Sequence, residues 1–227
     1  LHLYDKYIDG KGSKDKFLNI ADFLIENVKK DGSLRYGFKY NHYECLNEGW
    51  TSSMSQGQAL SVLARAYYLT KNSKYVKSGQ KVLGYLLTPI SEGGVMDDLG
   101  ALNGKLKNKI FFQQYVNSTP TYTLNGHIFT LIGLYDWSKV YCPENIYYCN
   151  IAGQYWKKGL DSLKCILPYY DIGSFTSYDL YHIVKRSFPS SSDFYHSIHI
   201  EQMNVLYNIT GDEYFKKLRD LWISYVK

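Results

Sequence analysis

What the 227-residue sequence lacks narrows its class before any motif is read. No apolar run approaches the roughly 18 to 20 residues that a membrane span requires, so no membrane span is expected. Cysteine is scarce, and Cys45, Cys142, Cys149 and Cys165 show neither CxxC nor Cys/His metal spacing, which argues against a zinc site and sets metal ligation aside. Cys142 and Cys149 flank the turn-like Pro143-Glu144-Asn145 and leave a disulfide open. GxSxG, the P-loop, the Rossmann glycine fingerprint and HExxH are absent, which removes support for nucleotide, hydride and zinc chemistry. Charge of one sign is also lacking: 26 Lys plus Arg oppose 21 Asp plus Glu, a net +5. That balance favours acidic partners weakly, and without a dense basic stripe no nucleic acid is expected as a partner. No repeat with a shared signature is visible, which excludes a tetratricopeptide-like array. The chain begins at Leu1 without the charged-then-apolar layout of a secretory signal, as expected of a processed or trimmed terminus.

What is present is a globular chain with a tyrosine excess. Hydrophobic residues make up 45% and charged residues 21%, which excludes a disordered tail, and the length fits one domain across residues 1–227. The 24 tyrosines outnumber 10 Phe and 4 Trp, so most aromatic surface carries a hydroxyl, as suits sugars and also interfaces. Apolar residues recur at helical spacing, separated by short Gly, Asn, Asp and Pro turns, and the pattern predicts about eight helices. These run from Lys14 to Lys29, Ser52 to Leu69, Ser73 to Leu87, from after Pro120 through Leu124, Ile128, Leu131, Ile132 and Tyr135, Ile151 to Leu167, Asp179 to Lys185, Tyr195 to Tyr207 and Asp212 to Val226. Residues 91–120 read as an irregular, short β-like loop region with one strand at Lys109 to Tyr115, where loop-borne function would sit. Ser52, Ser53, Ser55, Gly57 and Ala59 crowd one helix start, while Gly126 and Gly133 interrupt another helix. Gly costs about 0.8 to 1 kcal/mol relative to Ala there, which points to close packing or close ligand approach. The expected fold is all-α, an α/α toroid or incomplete barrel of helical hairpins with inner helices lining a cleft.

Polar residues gather in four segments: Glu48-Gly49-Trp50 with Gln56, Gln113-Gln114-Tyr115, Tyr170 through Asp179, and Tyr195-His196 with His199 and Gln202. Trp50 fits a core plug as well as a cleft wall, and Gln56 beside small residues at a helix start can reach hydroxyls in a cleft. His196, His199 and Gln202 recur every three residues and share one helical face, which fits a cleft-lining stripe or a core network. Composition alone does not choose among the tyrosines.

Taken together, GWTSSMSQGQALSVLARAY (49–67), LNGHIFTLIGLYDW (124–137), LPYYDIGSFTSYDL (167–180) and YHSIHIEQ (195–202) resemble, in order and spacing, the C-terminal domain of D-glucuronyl C5-epimerases. The resemblance implies an α/α toroid carrying a catalytic cleft that inverts C5 of glucuronic acid residues in heparan-type polysaccharides, an acidic polysaccharide substrate, and a homodimer. It also implies that this chain is the helical domain alone, a fragment or a minimal relative. Removing the proton α to a carboxylate requires stabilisation of the second negative charge, and inversion requires two opposed proton carriers, with no cofactor. Tyrosine serves if neighbours lower its pKa from about 10. By resemblance the catalytic tyrosines fall on Tyr115 in QQYVNSTP, Tyr178 in TSYDL and Tyr195 in DFYHSIH. Gln114, Tyr181, His196, His199, Gln56, Trp50 and Asn125 are the implied substrate-binding residues. Two departures stand out: Gln113 and Gln114 replace a pair of glutamates, and Tyr181 replaces an arginine, with His182 and Lys185 nearby as substitute cations. A polysaccharide lyase acting by β-elimination and a glycan-binding module that has lost turnover stay open as alternatives.

Overall fold

The computed structural model describes residues 1–226, and its fold is all-α. The helices are α1 (His2–Ile8), α2 (Lys14–Asn27), α3 (Ser53–Thr70), α4 (Ser73–Leu86), α5 (Leu124–Ser138), α6 (Ile146–Ile166), α7 (Tyr181–Lys185), α8 (Asp193–Thr210) and α9 (Glu213–Ser224). Two antiparallel pairs of short strands complete it: β1 (Tyr40–His42) with β2 (Glu44–Leu46), and β3 (Met96–Asp98) with β4 (Ile110–Phe112). Side-chain caps from Ser13, Asn72, Ser192 and Asp212 accept first-turn N–H groups of α2, α4, α8 and α9, which fixes where those helices start.

The small residues singled out from sequence explain the centre of the fold. α3 and α5 pack most extensively on each other. A Cβ on Gly133 would lie 2.1 Å from the Gly57 carbonyl oxygen, and one on Gly57 would lie 2.5 Å from the Thr130 Cα, so the two backbones touch at a distance only glycine allows. Around this seam the core is Leu60, Leu63 and Ala66 of α3, Val82 and Leu83 of α4, Ile128 and Leu131 of α5, and Leu163 of α6. Gly79 of α4 packs against the Trp137 ring, where a Cβ would fall 1.9 Å from the ring Cη2. Met203 and Leu206 of α8 and Phe215 and Trp222 of α9 extend the core at the C-terminal end.

Where element boundaries differ from the sequence reading, tertiary contacts are responsible. α6 begins at Ile146 rather than Ile151 because Pro143–Asn145 forms a helical turn, with Asn145 buried and its Nδ2 donating to the Val140 carbonyl. α1 carries no buried residue of its own and packs through Tyr4, whose ring meets Phe17 at 5.3 Å. Its seven residues have too little apolar periodicity to register. Cys142 and Cys149 are buried free thiols, as Cys45 and Cys165 are exposed ones, so the disulfide left open by the sequence is not formed. Among the described residues no helix is long and apolar enough to cross a membrane.

Candidate active site

Residues of all four polar segments converge, and the backbone explains why. The stretch after β4 crosses the start of α3, where the Ser53 N–H donates to the Gln113 carbonyl at 3.1 Å and the Ser53 hydroxyl donates to the Phe112 carbonyl. That brings Gln114 and Tyr115 out between α3 and α5. Tyr178 is pinned on both sides of its peptide: its N–H donates to the Ser190 carbonyl and its carbonyl accepts from Leu124 N–H at the head of α5. Tyr195 sits in the first turn of α8, set by the Ser192 cap.

The result is a cluster of phenols. The Tyr115 and Tyr178 hydroxyls are 3.0 Å apart, Gln114 Nε2 donates to the Tyr115 hydroxyl at 2.9 Å, and the Tyr195 ring lies 4.2 Å from that of Tyr178. Gln113 faces away, donating to Asp97 and accepting from Tyr122 N–H. Gln114 Oε1 is buried without a partner, so of the two replacements only Gln114 belongs to the site. Two adjoining cavities of about 290 and 180 Å³ open over the cluster, one reaching Tyr178, Tyr195 and Ser190–Ser192, the other reaching Trp50, Gln114 and Tyr115, with Tyr40 on both.

Burial sets the electrostatics. It pushes the Tyr178 and Tyr115 hydroxyls well above the ordinary phenol value, and the neighbouring phenols push Tyr178 further while the hydrogen bond from Tyr178 partly offsets the effect at Tyr115. Both are therefore proton donors near neutral pH, the reverse of the lowered values that the sequence argument asked of a tyrosine base.

The remaining residues expected at the site are divided by the structure. Trp50 belongs to its wall, stacked on Tyr36 at 4.2 Å and tied by Nε1–H to the Phe38 carbonyl. Tyr181 lines neither cavity; it stacks on Tyr43 at 3.8 Å behind the wall. Asn125 is buried beside Gly126, and its carbonyl accepts from Gln202. Gln56 is buried elsewhere, donating to the Leu34 carbonyl at 3.0 Å. The cleft-lining reading of His196 and His199 is corrected. Both are fully buried, joined through the Thr176 hydroxyl, and His196 Nε2 meets the Trp222 carbonyl at 3.0 Å, so the stripe ties α8 to α9 and to the loop before Tyr178. Burial, with His196 adding to it, lowers His199 to about 3 and keeps it neutral.

Sequence reasoning missed the β1–β2 hairpin, which brings Tyr40 and His42 to the cavity and places the His42 ring 4.0 Å from that of Tyr115. A signal existed: Tyr36, Phe38, Tyr40 and His42 alternate at period two, which is strand spacing, and all of them line the cavities. Asp179, the last residue of the third polar segment, was given no role by the sequence and is fully buried behind His42. Among the described residues no group of three or more His, Cys, Asp or Glu is placed to hold a metal ion.

Comparison with known proteins agrees with this geometry in extent. Residues 27–224, a span holding every site residue named above, match the family model described as the D-glucuronyl C5-epimerase C-terminus. A D-glucuronyl C5-epimerase of Caenorhabditis elegans is 33% identical over 219 residues, covering 92% of this chain and 34% of that protein. An uncharacterized protein of Methanocaldococcus jannaschii is 30% identical over 217 residues, covering 90% of this chain and 65% of that protein. The chain thus spans about a third of the nematode relative and just under two thirds of the archaeal one. With the match running from the end of α2 through α9, the chain belongs to the D-glucuronyl C5-epimerase family and corresponds to that family's C-terminal part.

Proposed function

We propose that residues 1–227 form a single catalytic domain, an incomplete α/α toroid, that inverts C5 of uronic acid residues in an acidic, heparan-type polysaccharide. The observation that carries this is the phenol cluster: hydroxyls of Tyr115 and Tyr178 in contact at 3.0 Å, with Tyr195 against Tyr178, under an aromatic-walled cavity. Aromatic walls accept sugar faces. Ser190, Ser191 and Ser192, just before α8, line the same cavity, and hydroxyls there can donate to an anion such as the uronate carboxylate. Abstraction of the C5 proton places a second negative charge on that carboxylate, forming an enediolate. Neutral Tyr115 and Tyr178 donate hydrogen bonds to it, and a phenol on the opposite face returns a proton to C5 with inverted configuration.

One observation favours a second reading, a glycan-binding module without turnover. Gln114 stands against the two hydroxyls where a carboxylate could accept a proton, and an amide cannot. Incubation of an unsulfated heparan-type polysaccharide in heavy water separates the two. The epimerase places deuterium at C5, detected by NMR, and Tyr195→Phe lowers that exchange at least about 100-fold with the melting temperature unchanged. Binding without exchange in the unaltered protein leaves the module; an ultraviolet-absorbing unsaturated product identifies a lyase instead.

A further inference from the structure

With Gln114 an amide and Tyr115 and Tyr178 held protonated by burial, the site described so far has acids and no base. We propose that His42 takes the C5 proton and that Asp179 is the residue that positions it, an inference that rests on the epimerase reading above. The other residues lining the 290 Å³ cavity are three tyrosines and three serines, so His42 carries its only imidazole and it holds no carboxylate.

The hairpin holds the ring in place. At its tip Tyr43 takes φ +59°, a left-handed conformation unusual for an aromatic residue, and such strain persists only where surrounding contacts hold it. Here they do: Asn117 Nδ2 donates to the His42 carbonyl at 3.0 Å, the Glu44 carboxylate accepts from Ser118 N–H and the Ser118 hydroxyl, and the Tyr43 ring stacks on Tyr181. The imidazole therefore lies across Tyr115 at 4.0 Å and edge-on to Tyr178 at 5.8 Å, with its side chain 15% exposed.

The ring's two nitrogens have different surroundings. Nε2 is buried and faces Asp179 Oδ2 at 3.7 Å, and neither atom has another partner. Asp179 Oδ1 is occupied by Tyr181 N–H at 3.1 Å and the Tyr43 hydroxyl at 3.4 Å. A carboxylate only accepts, so the ring proton belongs on Nε2, which leaves a lone pair on Nδ1, the nitrogen away from Asp179 on a ring that lines the cavity. The 3.7 Å separation is longer than a hydrogen bond. It is expected to close when the ring gains a proton, because charge-assisted bonds are shorter, and catalytic contacts commonly tighten only with substrate bound.

The step balances without an external oxidant or reductant. The C5–H bond breaks, its proton goes to Nδ1, and its electron pair moves into the enediolate. On the opposite face a phenol O–H breaks and its proton forms the new C5–H bond. Imidazolium and phenolate remain, and transfer of one proton between them through solvent restores the site. The imidazolium also supplies, beside the enediolate, a cation that Tyr181 does not.

The test uses the whole chain and two readouts. The ring-nitrogen shifts of His42 in 15N NMR should report the Nε2–H tautomer in the unaltered protein. In Asp179→Asn the amide donates to Nε2, and the spectrum should switch to Nδ1–H. C5 deuterium exchange should fall at least about 100-fold in His42→Gln, recover in part with added imidazole, and fall in Asp179→Asn in step with the tautomer change. Exchange at the unaltered rate in a folded His42→Gln protein, or an Nδ1–H tautomer in the unaltered chain, overturns the assignment of His42 while leaving the epimerase. No exchange in the unaltered protein removes the epimerase reading itself, and the base with it.

Discussion

Gly126 is where packing and the site meet. It lies in the first turn of α5, and a Cβ built there would fall 2.2 Å from Gln114 Oε1, 2.7 Å from its Cβ and 2.8 Å from its Cδ. The body of the Gln114 side chain, not only its tip, stands in the way, so Gly126→Ala has to displace it and break the 2.9 Å bond to the Tyr115 hydroxyl. Losing that bond costs about 1 kcal/mol net, and overpacking a filled site costs about 1 to 3 kcal/mol. Against this, Ala gains at most about 1 kcal/mol over Gly in a helix. The sum is a destabilisation of about 1 to 3 kcal/mol, a fall in melting temperature of roughly 2 to 12 °C for a domain of this size. Gly84 in α4 is the control, since a Cβ there meets nothing within 4 Å. Gly84→Ala should raise the melting temperature by about 2 to 4 °C through propensity alone. Thermal denaturation followed by circular dichroism measures both. Equal or greater stability of Gly126→Ala relative to Gly84→Ala would refute the claim that α5 and Gln114 are in contact. If the claim holds, trimming the obstruction with Gln114→Ala in the Gly126→Ala background recovers part of the loss as a coupling energy.

Helices were legible where apolar residues recur at helical spacing between turn residues. α3 and α4 start within a residue of expectation, α4 after Asn72, whose side chain caps it, while α5 starts at Leu124, a short way beyond the break expected at Pro120. α6 was read late because Tyr147, Tyr148 and Asn150 are indifferent helix formers, and the turn at Pro143 together with burial of Cys149 decides its start. The turn of the hairpin, unlike the period-two spacing of its first strand, was illegible for a different reason. Tight turns announce themselves by Gly or Asn, and here Tyr43 holds the left-handed position through contacts from residues 117, 118, 179 and 181, which no local pattern contains.

The site shows the same division between local and distant information. Three-residue spacing correctly placed His196, His199 and Gln202 on one face of α8, but spacing says nothing about what covers a face, and Thr176 and Trp222 cover this one. Tyr115, Tyr178 and Tyr195 were reachable only through the family resemblance, since nothing distinguishes them among 24 tyrosines. Their mutual contact depends on elements 63 residues apart in sequence. His42 lay outside the motifs of the resemblance and Asp179, inside one of them, was given no role there; only the fold brings a residue of the hairpin to a buried carboxylate before α7.

Two further expectations concern the buried histidines. Thr176→Val removes the hydroxyl shared by His196 and His199 and should destabilise the protein by about 1 to 3 kcal/mol in urea titrations, as orphaned buried polar atoms do. Loss of glycan binding at unchanged stability would instead return the stripe to the cleft. The second expectation is acid sensitivity. His127, at the centre of the core with its Nδ1 accepting from Phe112 N–H, and His199 are both lowered by burial to about 3 from the ordinary 6.5. A histidine depressed in the folded state is neutral there while its unfolded counterpart is charged, so between about pH 6.5 and 3 the unfolded chain binds more protons and stability rises with pH. Going down in pH, each of the two withdraws about 1.4 kcal/mol per unit once below 6.5. Asp31, lowered to about 2 with bonds from Ser33 and Arg35 opposing burial, adds its own loss only as pH falls below about 4. Calorimetric unfolding near pH 5 should therefore take up about two protons from these histidines, and His199→Gln should reduce the uptake by about one. A melting temperature independent of pH from 7 to 4.5 would mean that neither ring is held neutral, and with that the core assignment of the α8 stripe would fail.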